Sequence, residues 1–323
     1  MASRVLIVES PAKVNLHLGI GTKRPDGYHD LQTVFHTLGL ADTLTFTLHE
    51  PGDGFQPPAD SLDGVSLTSD PHFDFPLAKN LIFRALDSLA RALDRPIVEP
   101  GWHLHIHVDK RIPAQAGLGG DSSNAAAALL AACEFWGIDP LDPVCLEVAG
   151  KLGADVAFFL YGGCAFMDGK GEVMRERFDA LGSAVLIINT GEGVSTAAAY
   201  KLFDQDPPAA ASIEPLIQAL RAPAGPQRER AVAKLLYNNL EPAAFQLAPS
   251  LNSLDTFLNG MDTVLYRMSG SGSAFFVVCP DEASVPDALV QEVSRRAPRC
   301  PGKPLSVIPT RFVSHGVRIT GRA

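Results

Sequence analysis

The sequence PAQAGLGGDSSNA at residues 113–125 is the stretch that decides the fold. Its glycines allow a tight turn and a close approach of the backbone to a ligand, and the alanine-rich run at residues 125–132 strongly favours a helix. The unpaired N–H groups at such a helix start, together with the helix dipole, form an anion site. The stretch therefore predicts a phosphate-binding loop and hence a nucleotide ligand; a glycine-rich turn that caps a core helix is the alternative.

Two common phosphate-binding signatures do not match this stretch. A Walker loop continues from its last glycine into Lys-Ser or Lys-Thr, but Asp121 follows Gly120. A dinucleotide fingerprint needs a third glycine after Gly117 and Gly119, and Ser122 stands at that position. Serine hydroxyls at the start of the helix are suited either to cap it or to contact phosphate oxygens.

Size and composition narrow the class of protein. A chain of 323 residues is long enough for two domains. The net charge of −9 disfavours nucleic acid, which needs a basic surface, but not a small phosphorylated ligand. The apolar runs are too short to cross a membrane, and an odd number of cysteines, five, argues against a disulfide framework. We therefore expect a cytoplasmic protein, a monomer or weak homodimer, that binds a small molecule and neither nucleic acid nor membrane.

The alternation of apolar and polar residues predicts an α+β chain of two mixed domains with a cleft between them. Strands are predicted at residues 4–8, 13–20, 43–49, 102–108, 164–167, 173–178, 184–189, 263–268 and 275–279. Helices are predicted at residues 81–93, 124–136, 141–152, 228–236 and 285–297, with loops at 22–30, a surface excursion at 50–76 and an uncertain mixture at 204–227. We expect an N-terminal domain at 1–160 and a C-terminal domain at 161–323.

Three polar residues stand out in apolar surroundings. Lys13 and Asn15 share one face of a predicted strand, and Asp155 is a lone acid in the segment LGADVAFFL. An exposed strand face and an N-cap aspartate are the simpler explanations. If Lys13 faces Asp155, one explanation covers both residues, because the lysine would keep the carboxylate ionised and position a nucleophilic hydroxyl.

Two further patterns carry weaker signals. The turn Ser-Gly-Ser-Gly-Ser at residues 269–273 is typical of a hairpin, but together with the first loop it could clasp a polyphosphate or the accepting group. His103, His105 and His107 line one face of a strand, as zinc ligands can. Because they alternate with apolar residues that face inward, we expect a solvated face instead.

Taken together, these segments resemble the GHMP kinase superfamily, whose phosphate loop P-x-x-x-G-L-G-x-S-S-x-A is close to residues 113–125 with one extra residue. Within it, the chain is most similar to the family of 4-diphosphocytidyl-2-C-methyl-D-erythritol kinases over almost its whole length. The motifs that carry this likeness are P-A-K-x-N-L at 11–16, R-x-D-G-Y-H-x-L at 24–31, K-N-L-I at 79–82, G-L-G-G-x-S-S-N-A at 117–125, L-G-A-D-V at 152–156 and S-G-S-G-S at 269–273.

The resemblance implies a GHMP kinase fold. Its N-terminal, ATP-binding domain is like domain 2 of ribosomal protein S5 and carries the catalytic residues, and its C-terminal, substrate-binding domain is a ferredoxin-like α/β domain. It implies transfer of the γ-phosphoryl group of ATP, with Mg²⁺, to the 2-hydroxyl of a cytidine diphosphate substrate in the non-mevalonate isoprenoid pathway.

The resemblance also implies roles for individual residues. Asp155 would be the base and Lys13 would position it, while Tyr28 and Tyr200 would stack on the cytosine and His29 would hydrogen-bond to it. The implied ATP-binding residues are Asn80, Lys110, Pro113, Ala114, Gln115, Ala116, Gly117, Leu118, Gly119, Gly120, Asp121, Ser122 and Ser123. The implied substrate-binding residues further include Asn15, Thr196, Gly270, Ser271 and Gly272, whereas no metal ligand is identified.

The chain departs from the family pattern at two positions. Asp121 stands where many members have glycine, and a carboxylate beside phosphates is repulsive, so we expect it to face solvent or to cap the helix. Ala157 replaces a common proline, which loosens the backbone after Asp155 without removing a catalytic group. The alternatives are another GHMP kinase, such as a homoserine or mevalonate kinase, a non-catalytic nucleotide-binding regulator, or an RNA-binding domain of related topology, which the negative charge disfavours.

Overall fold

The computed structural model describes residues 4–72, 76–261, 264–280 and 282–323. Its strands are β1 Arg4–Lys23, β2 His29–His49, β3 Val65–Asp70, β4 His103–Asp109, β5 Cys164–Asp168, β6 Val173–Phe178, β7 Ala184–Asn189, β8 Tyr237–Asn238, β9 Leu265–Met268, β10 Ala274–Cys279, β11 Ser306–Arg311 and β12 Arg318–Arg322. They form one sheet of order β12-β1-β2-β4-β3, joined by β5, β6 and β8, and a second sheet of order β11-β7-β10-β9.

The helices cover the faces of these sheets. They are α1 Leu81–Ala92, α2 Gly120–Trp136, α3 Pro143–Leu152, α4 Ala154–Tyr161, α5 Thr196–Phe203, α6 Glu214–Arg221, α7 Pro226–Ala233, α8 Glu241–Leu247, α9 Pro249–Asn259 and α10 Asp287–Arg296, with a 3₁₀ turn at Leu77–Lys79. The mixture of antiparallel strands and helices gives the predicted α+β architecture.

Strands β1 and β2 form one long antiparallel hairpin, which the sequence patterns did not predict. The structure continues β1 through Pro11 and extends β2 over residues that we expected in a loop, with irregular register near Pro11, Asn15 and Ile20. Residues 10–20 of β1 are buried on both faces. Such a strand loses the polar alternation by which strands are recognised, so only fragments of it were predicted.

Both faces of the hairpin are buried because each packs against a different core. On one side, helices α1 to α4 cover the first sheet, with Phe46, Leu86 and Phe158 fully buried. On the other side, residues of β1 and β2 such as Val14 pack toward the second sheet, around Phe276. Each fully buried side chain of this size contributes roughly 2 kcal/mol, so the hairpin joins the two layers firmly.

The boundary predicted between residues 160 and 161 does not separate the two sheets. Strands β5, β6 and β12 follow that position in the chain, yet β5 pairs with β2 and β12 pairs with β1. Hydrogen bonding to an existing sheet edge satisfies the backbone of these strands, so the layers do not follow chain order. In the described residues no helix is long and apolar enough to cross a membrane.

Two predictions about the region before α2 need correction. Part of the excursion at 50–76 is a strand, β3, which pairs in parallel with β4. Residues 73–75 of the excursion lie outside the described residues, as does residue 263 of the strand predicted at 263–268.

The face formed by His103, His105 and His107 is not simply solvated. Ser66 hydrogen-bonds to His103 and His105, and His103 is buried beneath Phe55. The described residues hold no cluster of histidine, cysteine or acidic side chains suited to a metal ion.

Two buried histidines predict that the protein loses stability when the pH falls. Burial lowers the pKa of His17 to about 4 and that of His36 to about 3, from 6.5 in an unperturbed side chain. His36 Nδ1 lies 3.0 Å from the carbonyl of Thr37, and its Nε2 accepts from the N–H of Leu181, as a neutral ring does. Below about pH 6.5 the unfolded chain therefore binds more protons than the folded chain, and His17 alone costs on the order of 3 kcal/mol by the time the pH reaches its folded value.

Urea unfolding followed by circular dichroism between about pH 7.5 and pH 4.5 measures this effect. The free energy of unfolding should decrease as the pH is lowered. The His17→Phe variant, which keeps a ring against Tyr237, should show a shallower fall, whereas His72→Gln, an exposed control, should match the wild type. A wild-type stability that does not change over this range would contradict the assignment.

Candidate active site

The phosphate loop is held open by backbone conformations that favour glycine. It connects β4 to α2, and Gly117 and Gly119 have φ angles of 73° and 72°, which side chains with a Cβ adopt only at a cost. A Cβ on Gly119 would also lie 3.1 Å from the Lys13 side chain. Helix α2 begins at Gly120, four residues earlier than predicted. The N–H groups of its first turn, at residues 120–122, therefore lie at the loop and are suited to bind an anion, whereas the N–H of Ser123 already donates to the carbonyl of Gly119.

A buried carboxylate, that of Asp42 on β2, fixes both ends of the loop. It is fully buried and accepts hydrogen bonds from the backbone N–H groups of Arg111 and Ile112 at 2.7 and 2.9 Å. Its second oxygen accepts from Lys110 Nζ at 2.6 Å and from the Asn124 amide at 3.0 Å. A buried charge is tolerated when it is paired and hydrogen-bonded in this way. Asp42 thus ties the loop entrance to the first turns of α2.

The second glycine-rich turn, residues 269–273, packs directly on the first. Ser269 Oγ donates to the carbonyl of Gly117 at 2.9 Å, and the N–H of Ala274 donates to the carbonyl of Ala116 at 3.0 Å. A Cβ on Gly117 would lie only 2.0 Å from the Ser269 carbonyl oxygen. Glycine at this position therefore allows two backbones from different sheets to touch.

Lys13 and Asp155 face each other beside this loop. Lys13 Nζ lies 3.3 Å from Asp155 Oδ2, with the lysine side chain 4% exposed and the aspartate 27% exposed. Asp155 is not an N-cap, because Gly153 occupies the cap position of α4 and Asp155 stands in the first helical turn, where a negative charge is favourable. The pair thus joins β1 to α4 and leaves a carboxylate open to the cleft.

A chain of hydrogen bonds holds Lys13 in place. Lys13 Nζ donates to Asn15 Oδ1 at 2.8 Å, the Asn15 amide donates to Thr33 Oγ1 at 2.9 Å, and Thr33 donates to the carbonyl of His17 at 2.7 Å. The ammonium also lies 4.8 Å from the centre of the Phe35 ring, a favourable cation–π distance. Asn15, predicted to contact substrate, therefore lies where it also orients the lysine.

Aromatic side chains form the opposite wall of the cleft. Tyr28 is 58% exposed, and Lys170 Nζ lies 4.1 Å above its ring. His29 is buried, and its ring centre lies 5.2 Å from that of Tyr200. Burial, with a further contribution from the Asp155 carboxylate, raises the pKa of Tyr200 to about 12, so its phenol is neutral. Thr196, at the start of α5, hydrogen-bonds to Ser271 at 2.8 Å.

A single cavity of about 1200 Å³ brings nearly all the predicted site residues together. Its walls include Lys13, Asn15, Tyr28, His29, Lys110, residues 113–122, Asp155, Thr196, Tyr200 and residues 270–272. Two predicted residues do not line it. Asn80 is buried and caps α1 by accepting from the N–H of Ile82, and Ser123 is buried against Ser10. Because these contacts hold elements together, their side chains are structural in this conformation.

Sequence reasoning missed three residues that shape the cavity. Asp42 is an acid in an apolar segment, as Asp155 is, but it does not lie in any of the motifs recognised in the sequence. Asp204 and Lys23 pair with each other and lie on the cavity wall beside His29. No local pattern could have shown this pair, because its partners are 181 residues apart.

The comparisons with known proteins agree with this geometry. The family of the GHMP kinases N terminal domain matches residues 80–163. A 4-diphosphocytidyl-2-C-methyl-D-erythritol kinase of Corynebacterium efficiens is 37% identical over 294 residues, covering 87% of this chain and 88% of the relative. A crystal structure of 4-(cytidine 5'-diphospho)-2C-methyl-D-erythritol kinase matches with 30% identity and a TM-score of 0.66, covering 95% of this chain and 99% of that one.

The homoserine kinase of Cytophaga hutchinsonii also has a TM-score of 0.66, over 98% of this chain and 97% of its own, but at 16% identity it shows the fold alone. Fold and cleft together define a GHMP kinase, an α+β enzyme that uses ATP to phosphorylate a small molecule. Within that class, the chain belongs to the family of 4-diphosphocytidyl-2-C-methyl-D-erythritol kinases. The family, the fold and the kinase class that were predicted from the sequence are confirmed.

Replacing Gly117 by alanine should have a larger effect than the same replacement at a glycine with a similar φ angle elsewhere. Gly137, which ends α2, has a φ of 68°, and a Cβ added there would meet nothing within 4 Å, so Gly137→Ala should cost only about 1 kcal/mol. Gly117→Ala should lower the free energy of unfolding by more than this. It should also raise the KM for ATP at least tenfold, which corresponds to a loss of about 1.4 kcal/mol in binding. Thermal unfolding and steady-state kinetics measure both. Equal effects of the two variants would show that the contact with Ser269 does not matter.

Replacing Asp121 by glycine should change little. Its side chain is 78% exposed and lies 3.9 Å from Lys110 Nζ, and exposed ion pairs contribute about 0–1 kcal/mol. The KM for ATP of Asp121→Gly should therefore stay within about fivefold of the wild-type value. A much larger rise would instead place this carboxylate among the groups that bind the nucleotide or its metal ion.

Proposed function

We propose that this chain transfers the γ-phosphoryl group of ATP to the 2-hydroxyl of 4-diphosphocytidyl-2-C-methyl-D-erythritol. One observation carries the proposal: the Lys13–Asp155 pair lies in one cavity between the glycine loop and the wall formed by Tyr28, His29 and Tyr200. A nucleotide phosphate at the loop and an aromatic base at the wall would place the pair between donor and acceptor. The substrate after which the similar kinases are named supports the same choice.

Asp155 would act as the general base in this reaction. As the 2-hydroxyl oxygen attacks the γ-phosphorus, its proton passes to the Asp155 carboxylate. The bond from the γ-phosphorus to the bridging oxygen breaks, and its electron pair leaves with ADP. Lys13, paired with the carboxylate at 3.3 Å, would hold the carboxylate and the hydroxyl in line, since positioning and charge stabilisation supply most of the rate in phosphoryl transfer.

The glycine loop would bind the triphosphate through backbone N–H groups and the N-terminus of α2. Lys110, held by Asp42 and close to Gly120, adds positive charge at the loop entrance. Mg²⁺ fits this arrangement without a cluster of acids, because phosphate oxygens and water fill most of its ligand positions. The Ser122 side chain at the cavity wall would supply a protein ligand, and the bound ion would neutralise phosphate charge.

The wall residues would select the acceptor. Tyr28 and Tyr200 would stack on the cytosine and His29 would hydrogen-bond to it. The ammonium of Lys170 lies over one face of the Tyr28 ring, so a base that stacks on that face must displace it. Gly270 lies beside Asn15, and Ser271 and Thr196, hydrogen-bonded to each other, line the same cavity; the sugar-alcohol would lie against these residues.

The Asp155→Asn variant tests the assignment of the base. The amide keeps the shape but cannot accept the proton, so kcat should fall by about 10²–10⁴, while ATP binding measured by calorimetry should stay close to the wild-type value. Glu147→Gln, an exposed change on the preceding helix, is the control and should be fully active. Turnover retained by Asp155→Asn would remove this residue from the base role.

A coupled ADP-release assay tests the choice of substrate. The wild-type protein should phosphorylate 4-diphosphocytidyl-2-C-methyl-D-erythritol and leave homoserine and mevalonate unreacted, because neither offers a base to the wall formed by Tyr28, His29 and Tyr200. Preferential turnover of homoserine or mevalonate would overturn the proposal.

A further inference from the structure

His29 is held at the cavity wall by a carboxylate that no sequence motif identified. Its Nε2 lies 2.6 Å from Asp204 Oδ1, and its side chain is 5% exposed. The second oxygen of Asp204 accepts a hydrogen bond from Lys23 Nζ. The ring also packs on Tyr200 and edge-on against Phe203, with centres 5.2 and 6.0 Å away. The orientation of the imidazole is therefore fixed before any ligand binds.

The carboxylate also fixes which nitrogen carries the proton. An ionised aspartate accepts hydrogen bonds and cannot donate them, so Nε2 must be the protonated nitrogen in this contact. The hydrogen bond from Lys23, together with the one from His29, lowers the pKa of Asp204, which keeps it ionised at neutral pH. In the neutral ring, the remaining nitrogen, Nδ1, is then an acceptor.

We propose that Asp204 is a positioning residue that selects cytosine through His29, by holding the ring as the Nε2–H tautomer so that Nδ1 accepts from the exocyclic amine of the base. Uracil carries a carbonyl oxygen where cytosine carries this amine, so two acceptors would face each other. The inference rests on the proposed function, because it assumes that the base lies against this wall. A site built to satisfy a hydrogen bond rejects an analogue that leaves it unpaired.

Binding of CDP and UDP tests the proposal without catalysis. The protein is first saturated with a non-hydrolysable ATP analogue and Mg²⁺, so that neither diphosphate occupies the nucleotide loop, and calorimetry then gives both dissociation constants. The wild type should prefer CDP by at least about tenfold. Asp204→Ala should lose most of that preference, and Asp204→Asn, whose amide oxygen can still accept from Nε2–H, should keep more of it. Asp206→Ala, an exposed aspartate two residues further on, should match the wild type.

A nitrogen-15 spectrum of the histidine rings supplies a second readout. The His29 signals, assigned by their loss in His29→Asn, should show a protonated Nε2 and an unprotonated Nδ1 in the wild type. In Asp204→Ala they should shift toward the average of the two tautomers. A protonated Nδ1 in the wild type, or an unchanged CDP preference in Asp204→Ala, would overturn the proposal even if the spectrum of that variant changed.

These results separate the inference from the proposed function. If the protein prefers CDP through Asp204 but does not phosphorylate the cytidine diphosphate substrate, the proposed reaction fails and the role of Asp204 stands. If it phosphorylates that substrate and Asp204→Ala keeps the same preference and the same KM, the reaction stands and the role of Asp204 fails.

Discussion

Strands β1 and β2 stay paired from Arg4 opposite Leu48 to Lys23 opposite His29, and this pairing supports the rest of the molecule. Helices cover one face of the hairpin and the second sheet lies toward the other. The same two strands carry the lysine, the buried Asp42 and the histidine of the site. A slip of one residue would turn each buried side chain of these strands to the opposite face and disrupt the close packing of both cores, so the hairpin holds these polar groups in fixed register. The rigidity of the site therefore comes from the core rather than from the glycine-rich turns that line it.

The site could be predicted from sequence where its chemistry is local. The glycine loop is recognisable in the sequence because Gly117 and Gly119 need backbone conformations that other residues avoid. Lys13 and Asp155 were each conspicuous as charges in apolar segments, and the structure brings them together. Asp42 and Asp204 could not be placed, because their side-chain partners lie 68 to 181 residues away along the chain. The same limit applies to the fold: isolated helices such as α1 were predicted closely, whereas the two-sided burial of β1 removed the alternation that marks a strand.

A protein with a net charge of −9 must still bind anionic ligands, and the cleft resolves this locally. Lysines 13, 23, 110, 170 and 201 all line its wall. Fields from charges elsewhere on the surface are screened within about 8–10 Å at physiological ionic strength, so the cleft responds mainly to these nearby groups. The overall acidity therefore opposes binding to extended polyanions such as RNA, but it does not oppose a nucleotide that fits inside the cleft.

Four of these lysines are paired with aspartates: Lys13 with Asp155, Lys23 with Asp204, Lys110 with Asp42 and Lys170 with Asp26. Each pair has a different degree of exposure, and its function follows from that. Asp42 is fully buried and orders the loop, whereas Asp155 is part-exposed and faces the cavity. A bare carboxylate beside a triphosphate would be driven toward protonation by the neighbouring charge. A paired lysine offsets this effect, and at Asp204 the hydrogen bond from Lys23 lowers the pKa of the carboxyl and keeps this acceptor ionised.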